Sequence, residues 1–532
     1  MSFELNKNLV QRVCIGDIFR RRGFSSPKKT AVVEYRGDEK IELNYKELND
    51  CLNSFVWKMR EFGLKKGDRI GLIGPNSTEY LICLLGCAKG GFEAVPINPL
   101  LNPDDLLYIL KHSEVKSIIF DDRLYNNFKD YIPNLNFINH FISLPITNVQ
   151  VDKDIIILNP LVPQKNDEIE DVIIQDRDNF EILYTSGTTS RPKGVQISHL
   201  SVFIMSLSNL IEVGFSSDIV GTTVMPLFHC AQQTLTISML HVGGTTVIFP
   251  SFDPEILLKA IEREKINHIF CLPMMYKALI EHPLIKKVDV SSVKNCIYAM
   301  TPMDENTLKK GMEVFGEEAE FILGTGQTEC FPSTNCFKGK WQLKKQGNYW
   351  GESALVLDTA VMDEFGEILP PGKIGEIVWR GPAVMNGYLK NDEATEEAFK
   401  YGWHHSGDLG YFDEDGLLVF VDRKKDMIKT GGENVPSIKV ERVILSHPKI
   451  IGAAVVGLPH EKWGEAVTAF IEVLPGEDIQ PDEIIALCKK QLAPFEVPKK
   501  VVILDYLPKT ATGKFQKNIL REKYKDLYEI EK

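Results

Sequence analysis

The sequence predicts an α/β protein: a large N-terminal domain of doubly wound sheets, a β-rich subdomain, and a small C-terminal α+β domain. Three observations carry this reading. Strand and helix signals alternate through the first half, the pattern of a parallel sheet wound on both faces. After about residue 345 the texture changes to short strands between Gly, Pro and Asp turns. From about residue 430 a compact run of helix, strand, strand, helix and strand follows. A chain of 532 residues is long enough for ~2–4 domains with a cleft between them.

The elements follow in order. Arg69–Gly74 is a short apolar strand, and Asn76-Ser77 cap a helix over Tyr80–Ala88 that Gly90-Gly91 end. Glu93–Asn98 is the next strand, Pro103–Glu114 a helix with acids in its first turn, and Lys116–Phe120 a third strand. Such spacing requires crossover connections and hence parallel pairing. Similar units recur through 180–330. The stretch Ile219–Phe252 holds no Asp, Glu, Lys or Arg, yet Pro226, His229, His241, Gly243 and Gly244 interrupt it. It reads as buried strand, loop and helix rather than a membrane span. Val356–Asp363, Gly375–Arg380 and Gly416–Val421 are the strands of the β-rich part. The last unit comprises Val440–Ser446 (helix), Ala453–Gly457 and Thr468–Leu474 (strands), Asp482–Leu492 (helix, between Pro481 and Pro494) and Val501–Leu504 (strand). These place an N-terminal domain at 1–422, with the β-rich part from about 345, a hinge at 423–426 inside the charged run Asp422–Asp426, and a C-terminal domain at 427–532.

Asp and Glu outnumber Lys and Arg by 73 to 61, for a net charge of −12. The chain therefore offers no overall electrostatic footprint for nucleic acid or an anionic membrane, and neither is an expected partner. Ten cysteines without a C-x-x-C are too few and scattered for a disulfide framework. With no apolar h-region near Met1, the expected setting is a reducing cytoplasm. No His/Cys/Asp cluster has transition-metal spacing.

The most informative segment is Tyr184-Thr-Ser-Gly-Thr-Thr-Ser-Arg-Pro-Lys-Gly194. Thr185, Ser186, Gly187, Thr188 and Thr189 bury little and present many N–H and hydroxyl donors, which suits a polyphosphate, and Lys193 adds a point charge. It is not a Walker A loop, because Gly194 rather than Ser or Thr follows Lys193.

In its order of residues, TSGTTSRPKG resembles the phosphate-binding signature of the adenylate-forming superfamily of acyl-CoA synthetases, amino-acid adenylation domains and luciferases. The resemblance recurs in Pro226-Leu-Phe-His229, Gly326-Gln-Thr-Glu329, Ser406-Gly-Asp408, Asp422-Arg-Lys-Lys-Asp426, Gly431-Gly-Glu-Asn434 and Pro508-Lys-Thr-Ala-Thr-Gly-Lys514, seven motifs in family order. It implies an ATP-dependent acid–thiol ligase that forms an acyl-AMP with release of pyrophosphate and then passes the acyl group to coenzyme A. It also implies that the small C-terminal domain is mobile about Lys425. By the same resemblance the 184–194 loop holds the β- and γ-phosphates. Glu329, with Thr185, binds Mg2+. Thr325, Gly326, Gln327 and Thr328 line the nucleotide. Asp408 and Arg423 hold the ribose, which needs a carboxylate accepting from both hydroxyls and a donor beside it. His229 gates the acyl tunnel, Gly431, Gly432 and Glu433 pass coenzyme A, and Lys514 meets the charge that develops during adenylation.

Two positions depart from the family pattern. Thr325 stands where an aromatic residue usually stacks on adenine, and the upstream loop reads Tyr298-Ala-Met-Thr-Pro302, so Tyr298 or Met300 is left to supply that contact. His229 replaces the Asp with which amino-acid adenylation domains pair an ammonium group, which disfavours amino acids. A fatty, branched or aromatic acid is the expected substrate, with His229–Gln233 and Ile322–Gly324 as candidate pocket residues. Coenzyme A is the expected acceptor, since no phosphopantetheine-serine segment follows Lys514. An acyl-AMP ligase that loads a carrier protein is the alternative, a luciferase-like oxygenase a third reading, and a non-catalytic nucleotide-binding homologue the reading from another class.

Overall fold

Two sheets organise the N-terminal part of the computed structural model, which describes residues 2–529 except 38, 186–190, 300–302, 317, 333, 346 and 510–514. In the first sheet the strands run in the order Gly387–Tyr388, Lys193–Ser198, Asn179–Thr185, Glu93–Ile97, Arg69–Ile73, Ser117–Asp121, His140–Leu144 and Ile156–Ile157. Its centre is parallel, and Lys193–Ser198 turns back antiparallel on Asn179–Thr185. The alternation expected between residues 69 and 120 is present. Ser77 caps the helix Thr78–Gly90 by accepting from the Tyr80 N–H, and Gly91, at φ 71°, ends it in the left-handed conformation glycine tolerates best. That helix is buried on every face. A Cβ on its Gly86 would lie 2.3 Å from the Phe55 ring, so glycine is what lets the helix Tyr45–Glu61 pack there.

The second sheet carries a parallel core of Glu320–Thr325, Asn295–Ala299, His268–Phe270, Val220–Thr223, Thr245–Ile248 and Thr30–Arg36. The uncharged stretch resolves into strand Val220–Thr223, helix Cys230–Val242 and strand Thr245–Ile248. No described helix is long and apolar enough to cross a membrane.

By internal packing the chain divides into two units, one of residues 1–185, 192–359 and 379–404 and the other of 360–378 and 405–532. The second unit groups β-rich strands with the C-terminal residues. Its strands Gly375–Arg380, His404–Phe412 and Leu418–Arg423 are neighbours in one sheet. A further sheet joins Glu433–Val435, Ile428–Thr430, Gly464–Val473 and Ile450–His460, with Lys500–Leu504 parallel to Gly464–Val473. The helices Ser437–Leu445 and Pro481–Gln491 bury Val440, Ile444, Ile484 and Cys488 against Val455, Ala469 and Val501. Leu520 of Lys517–Lys523 packs with Val456 and Phe470 in a separate cluster. This is the α+β unit the sequence predicts.

Candidate active site

In the first unit, the ends of the phosphate-loop segment are drawn together by the sheet. Thr185 pairs with Lys193 across the antiparallel strands, and its hydroxyl lies 3.5 Å from the Lys193 carbonyl. Ser186, Gly187, Thr188 and Thr189 lie outside the described residues.

Lys193 sits with its ammonium 3.9 Å from the centre of the Tyr388 ring. The hydroxyl of that tyrosine donates to Glu329 Oε1 at 3.0 Å. Tyr388 reaches this place because Gly387–Tyr388 adds an edge strand to Lys193–Ser198, and the Met385 N–H donates to the Glu329 carbonyl at 2.8 Å. Burial and the adjacent Glu329 charge push the Tyr388 phenol well up, so it remains a donor. A cation, an aromatic face and a carboxylate are thus aligned. Sequence reasoning identified Lys193 and Glu329 but missed Tyr388, whose neighbours in Asn386-Gly-Tyr388-Leu carry no local signal of chemistry.

His229 is half-buried and caps the helix Cys230–Val242, its Nδ1 accepting from the Ala231 N–H at 3.3 Å. Cys230 Sγ lies 3.7 Å from His229 Nδ1 and 3.5 Å from Thr328 Oγ1, so two motifs 98 positions apart meet there. The expected pocket residues Gln232 and Gln233 are fully buried. Gln232 Nε2 donates to the Thr222 carbonyl at 3.2 Å and Gln233 Nε2 to the Leu227 carbonyl at 2.8 Å, so both amides brace backbone. Ile322 packs with Leu235 and Met239.

Thr325 ends its strand with Oγ1 3.3 Å from the Asn335 carbonyl, Gly326 follows it, and Gln327 Oε1 is 3.4 Å from His404 Nε2. Tyr298 cannot supply the adenine contact, because it is buried and its hydroxyl donates to Gln342 at 2.6 Å. Met300 is outside the described residues.

In the second unit, Asp408 and Arg423 are register partners on adjacent antiparallel strands, with Nε 3.6 Å from Oδ1. Sequence reasoning missed Glu376, which accepts from the Gly407 N–H at 2.9 Å and from Lys424 at 3.1 Å and faces His405 at 3.3 Å. Burial works to raise its carboxyl, but these three partners outweigh it and hold the group below the ordinary carboxylate range. Burial, then the Arg423 charge, lower the Lys425 ammonium. Gly431 and Gly432 form the two-residue loop of a hairpin in which Thr430 pairs with Glu433, with φ of 59° and 86°. That turn needs left-handed backbone at both positions, which is reason enough for two glycines. Lys514 is outside the described residues.

Residues 19–389 match the AMP-binding enzyme family, and 439–514 match the AMP-binding enzyme C-terminal domain. The chain belongs to the AMP-binding enzyme family. It is 32% identical over 505 residues to a feruloyl-CoA synthase of Amycolatopsis sp, covering 95% of this chain and 98% of that one. It is also 32% identical over 515 residues to the long-chain-fatty-acid–CoA ligase FadD13 of Mycobacterium tuberculosis, covering 96% and 98%. Among solved structures, ATP-bound MatB from Rhodopseudomonas palustris superposes with a TM-score of 0.82 at 27% identity, over 96% of this chain and 99% of that one. The Mycobacterium tuberculosis fatty acyl CoA synthetase gives 0.75 at 30% identity, over 97% and 99%. The adenylate-forming superfamily and the α/β architecture named from the motifs are therefore correct.

Proposed function

We propose that this protein is an AMP-forming carboxylic acid–CoA ligase, in which ATP and the acid yield acyl-AMP and pyrophosphate and the acyl group then passes to coenzyme A. The observation that carries the reading is the Lys193–Tyr388–Glu329 alignment beside the phosphate-loop strands, in a chain related over at least 95% of its length to CoA ligases. The carboxylate must attack the α-phosphorus of an anionic nucleotide, so catalysis consists of positioning and of offsetting charge. Lys193 supplies a cation that its tyrosine platform orients, and Tyr388 keeps Glu329 aimed by donating to one of its oxygens.

Among the described residues no group of three or more His, Cys, Asp or Glu side chains could hold a metal. The donors present, the Glu329 carboxylate and Thr185 hydroxyl, fit a magnesium ion that takes most of its ligands from phosphate oxygens and water. Bound there, it would neutralise phosphate charge. Asp408 and Arg423 hold the ribose diol in this reading, one accepting and the other donating.

The acceptor step is assigned to the segment beginning at Gly431, and Lys514 to adenylation. The hinge is placed at 423–426, between a domain of 1–422 and one of 427–532. Asp422 accepts from the Ser437 hydroxyl at 2.6 Å and Asp426 from Arg521 at 2.7 Å, so both ends of the run are bonded to residues of the C-terminal part, and a turn of the chain at 423–426 has to break the first of these bonds. The test is exchange of labelled pyrophosphate into ATP with a panel of fatty, branched and aromatic acids, followed by product analysis with coenzyme A. Acid-dependent exchange with AMP as product supports the reading. ADP and phosphate as products would overturn it.

A further inference from the structure

Tyr184 stands at the root of the phosphate-loop segment, and its hydroxyl meets a residue that none of the seven motifs includes. That hydroxyl lies 2.7 Å from Nδ1 of His112, in the last turn of the helix Pro103–Ser113. The two rings meet edge to face, with centroids 5.8 Å apart and 81° between their planes. Tyr108, one turn earlier on the same helix, stacks on the imidazole at 5.2 Å and 24°, which restrains its tilt. Burial, then the Lys390 and Arg69 charges, lower the imidazole, so the ring is neutral at pH 7, and burial pushes the Tyr184 phenol well up. A neutral imidazole and a phenol can each donate and accept, so either tautomer completes the bond.

His112 holds the same neighbourhood by its backbone. Its carbonyl is among those a helix leaves open at its C-terminus, and it accepts from Lys390 Nζ at 3.0 Å, an ammonium that also pairs with Glu114 at 2.9 Å. Lys390 follows Tyr388 by two residues, and the Leu389 N–H between them donates to the Gly194 carbonyl at 2.8 Å. Tyr184 is the register partner of Gly194, and a Cβ on that glycine would lie 3.1 Å from Tyr184 Cζ, so the end of the phenol rests on the residue after Lys193. The side chain of His112 thus holds the strand that delivers Thr185, and its carbonyl holds the segment that delivers Tyr388 to Lys193 and Glu329.

We propose that His112 is a positioning residue for nucleotide binding, which sets the places of Thr185 and Lys193 through its hydrogen bond to Tyr184. The bond governs where the two strands end and not whether they pair, because their backbone ladder runs from Asn179 and Ser198 to Thr185 and Lys193 without it. Its loss should therefore fall on ATP rather than on the acid. The proposal rests on the reading of Thr185 and Lys193 as phosphate contacts.

The experiment compares wild type with Tyr184→Phe, His112→Leu, their double variant and His112→Asn. The first two remove the bond and keep apolar bulk in place, whereas the carboxamide of His112→Asn puts a hydrogen-bonding atom near the place of Nδ1. Calorimetry with ATP and Mg2+ measures binding without any acid, and pyrophosphate exchange gives the KM for ATP and for the acid. Tyr184→Phe and His112→Leu should each weaken ATP binding and raise the KM for ATP about three- to tenfold, the loss of one hydrogen bond. The KM for the acid should stay, and the melting temperature should fall by at most a few degrees. The double variant should be no worse than either single one, because the two residues share one bond. His112→Asn should recover most of the loss. Unchanged ATP binding in the single variants, or losses that multiply in the double one, overturns the proposal alone. A wild type that binds no ATP overturns the ligase reading and the proposal with it. Should His112→Leu fail to fold, Tyr184→Phe and His112→Asn decide.

Discussion

Asp408 and Arg423 occupy opposite positions on the antiparallel strands His404–Phe412 and Leu418–Arg423, with the guanidinium Nε 3.6 Å from the carboxylate. The Asp408 side chain is 7% exposed and that of Arg423 38%, so the acid is sheltered while the base keeps a wet edge. This is a pair set by the register of two adjacent strands.

Asp408→Asn should therefore weaken nucleotide binding more than Arg423→Lys does. Loss of charge-assisted hydrogen bonds costs about 1.5–3 kcal/mol, or roughly 10–150-fold, and should fall on the KM for ATP. The check is the KM for ATP in acid-dependent pyrophosphate exchange. Equal, small effects in both variants would count against a ribose role for Asp408.

Tyr388→Phe keeps the ring beneath Lys193 and removes only the hydroxyl donated to Glu329. The expected result is an adenylation rate about tenfold lower or more, with a raised Mg2+ requirement and unchanged melting temperature. Titrating Mg2+ in the exchange assay measures it. A normal Mg2+ profile would separate Tyr388 from the Glu329 site.

Lys514→Ala should slow adenylation about 100–1000-fold, the range for one group that stabilises developing charge, while thioester formation from supplied acyl-AMP continues. Lys425→Pro should do the reverse, since proline freezes φ near the hinge. Rapid-quench measurement of each half-reaction in both variants is the check. Lys514→Ala slowing both steps alike would defeat the two-conformation scheme.

Gly431→Trp should block thioester formation while sparing adenylation, and Gly431→Ala is its control. At φ 59° any side chain carries about 1–2 kcal/mol of backbone strain, so both variants should melt somewhat lower. Loss of the second half-reaction with Trp but not with Ala identifies steric blocking of the acceptor. Loss with both assigns Gly431 to the turn alone.

Acid should destabilise the fold through three buried histidines. Burial lowers His199 and His241 to about 4 and His268 to about 3. Their folded values lie below the ordinary 6.5, so the unfolded chain binds more protons between pH 6.5 and about 4. The stability they contribute is full above 6.5 and is lost as pH falls through that window. His268→Phe, at a site already packed against Phe215, should flatten the decline in melting temperature measured over that range.

What the sequence made legible was local or ordered. The cap at Ser77, the stop at Gly91 and the alternation around them announce parallel units because each signal lies within one or two turns of the element it sets. The motifs named the family because their order survives along the chain. Contacts made only by the closed sheets stayed hidden. Cys230 meets Thr328 only after the strands between them have assembled, and Tyr388 reaches Glu329 only because a two-residue edge strand docks on Lys193–Ser198. The adenine contact open to Tyr298 failed because the middle of Asn295–Ala299 is covered on both faces, with Cys296, Ile297 and Tyr298 all buried. Glu376 was passed over as an ordinary strand acid, since nothing near it in sequence shows that Gly407 and Lys424 converge on it.

All ten cysteines are buried, including Cys230 and Cys330, which are next in sequence to His229 and Glu329. Burial holds the Cys14 and Cys51 thiols near 11 and 12 and pushes Cys330 and Cys336 well above the ordinary value. An acyl-adenylate is a strong electrophile, and the thiolate, not the thiol, is the form that attacks one. A ligase of this kind must present its intermediate to one sulfur only. By keeping all ten of its sulfurs out of solvent, this chain leaves the incoming acceptor without an internal rival, and guards itself against self-acylation and against mixed disulfides with the very thiol it serves.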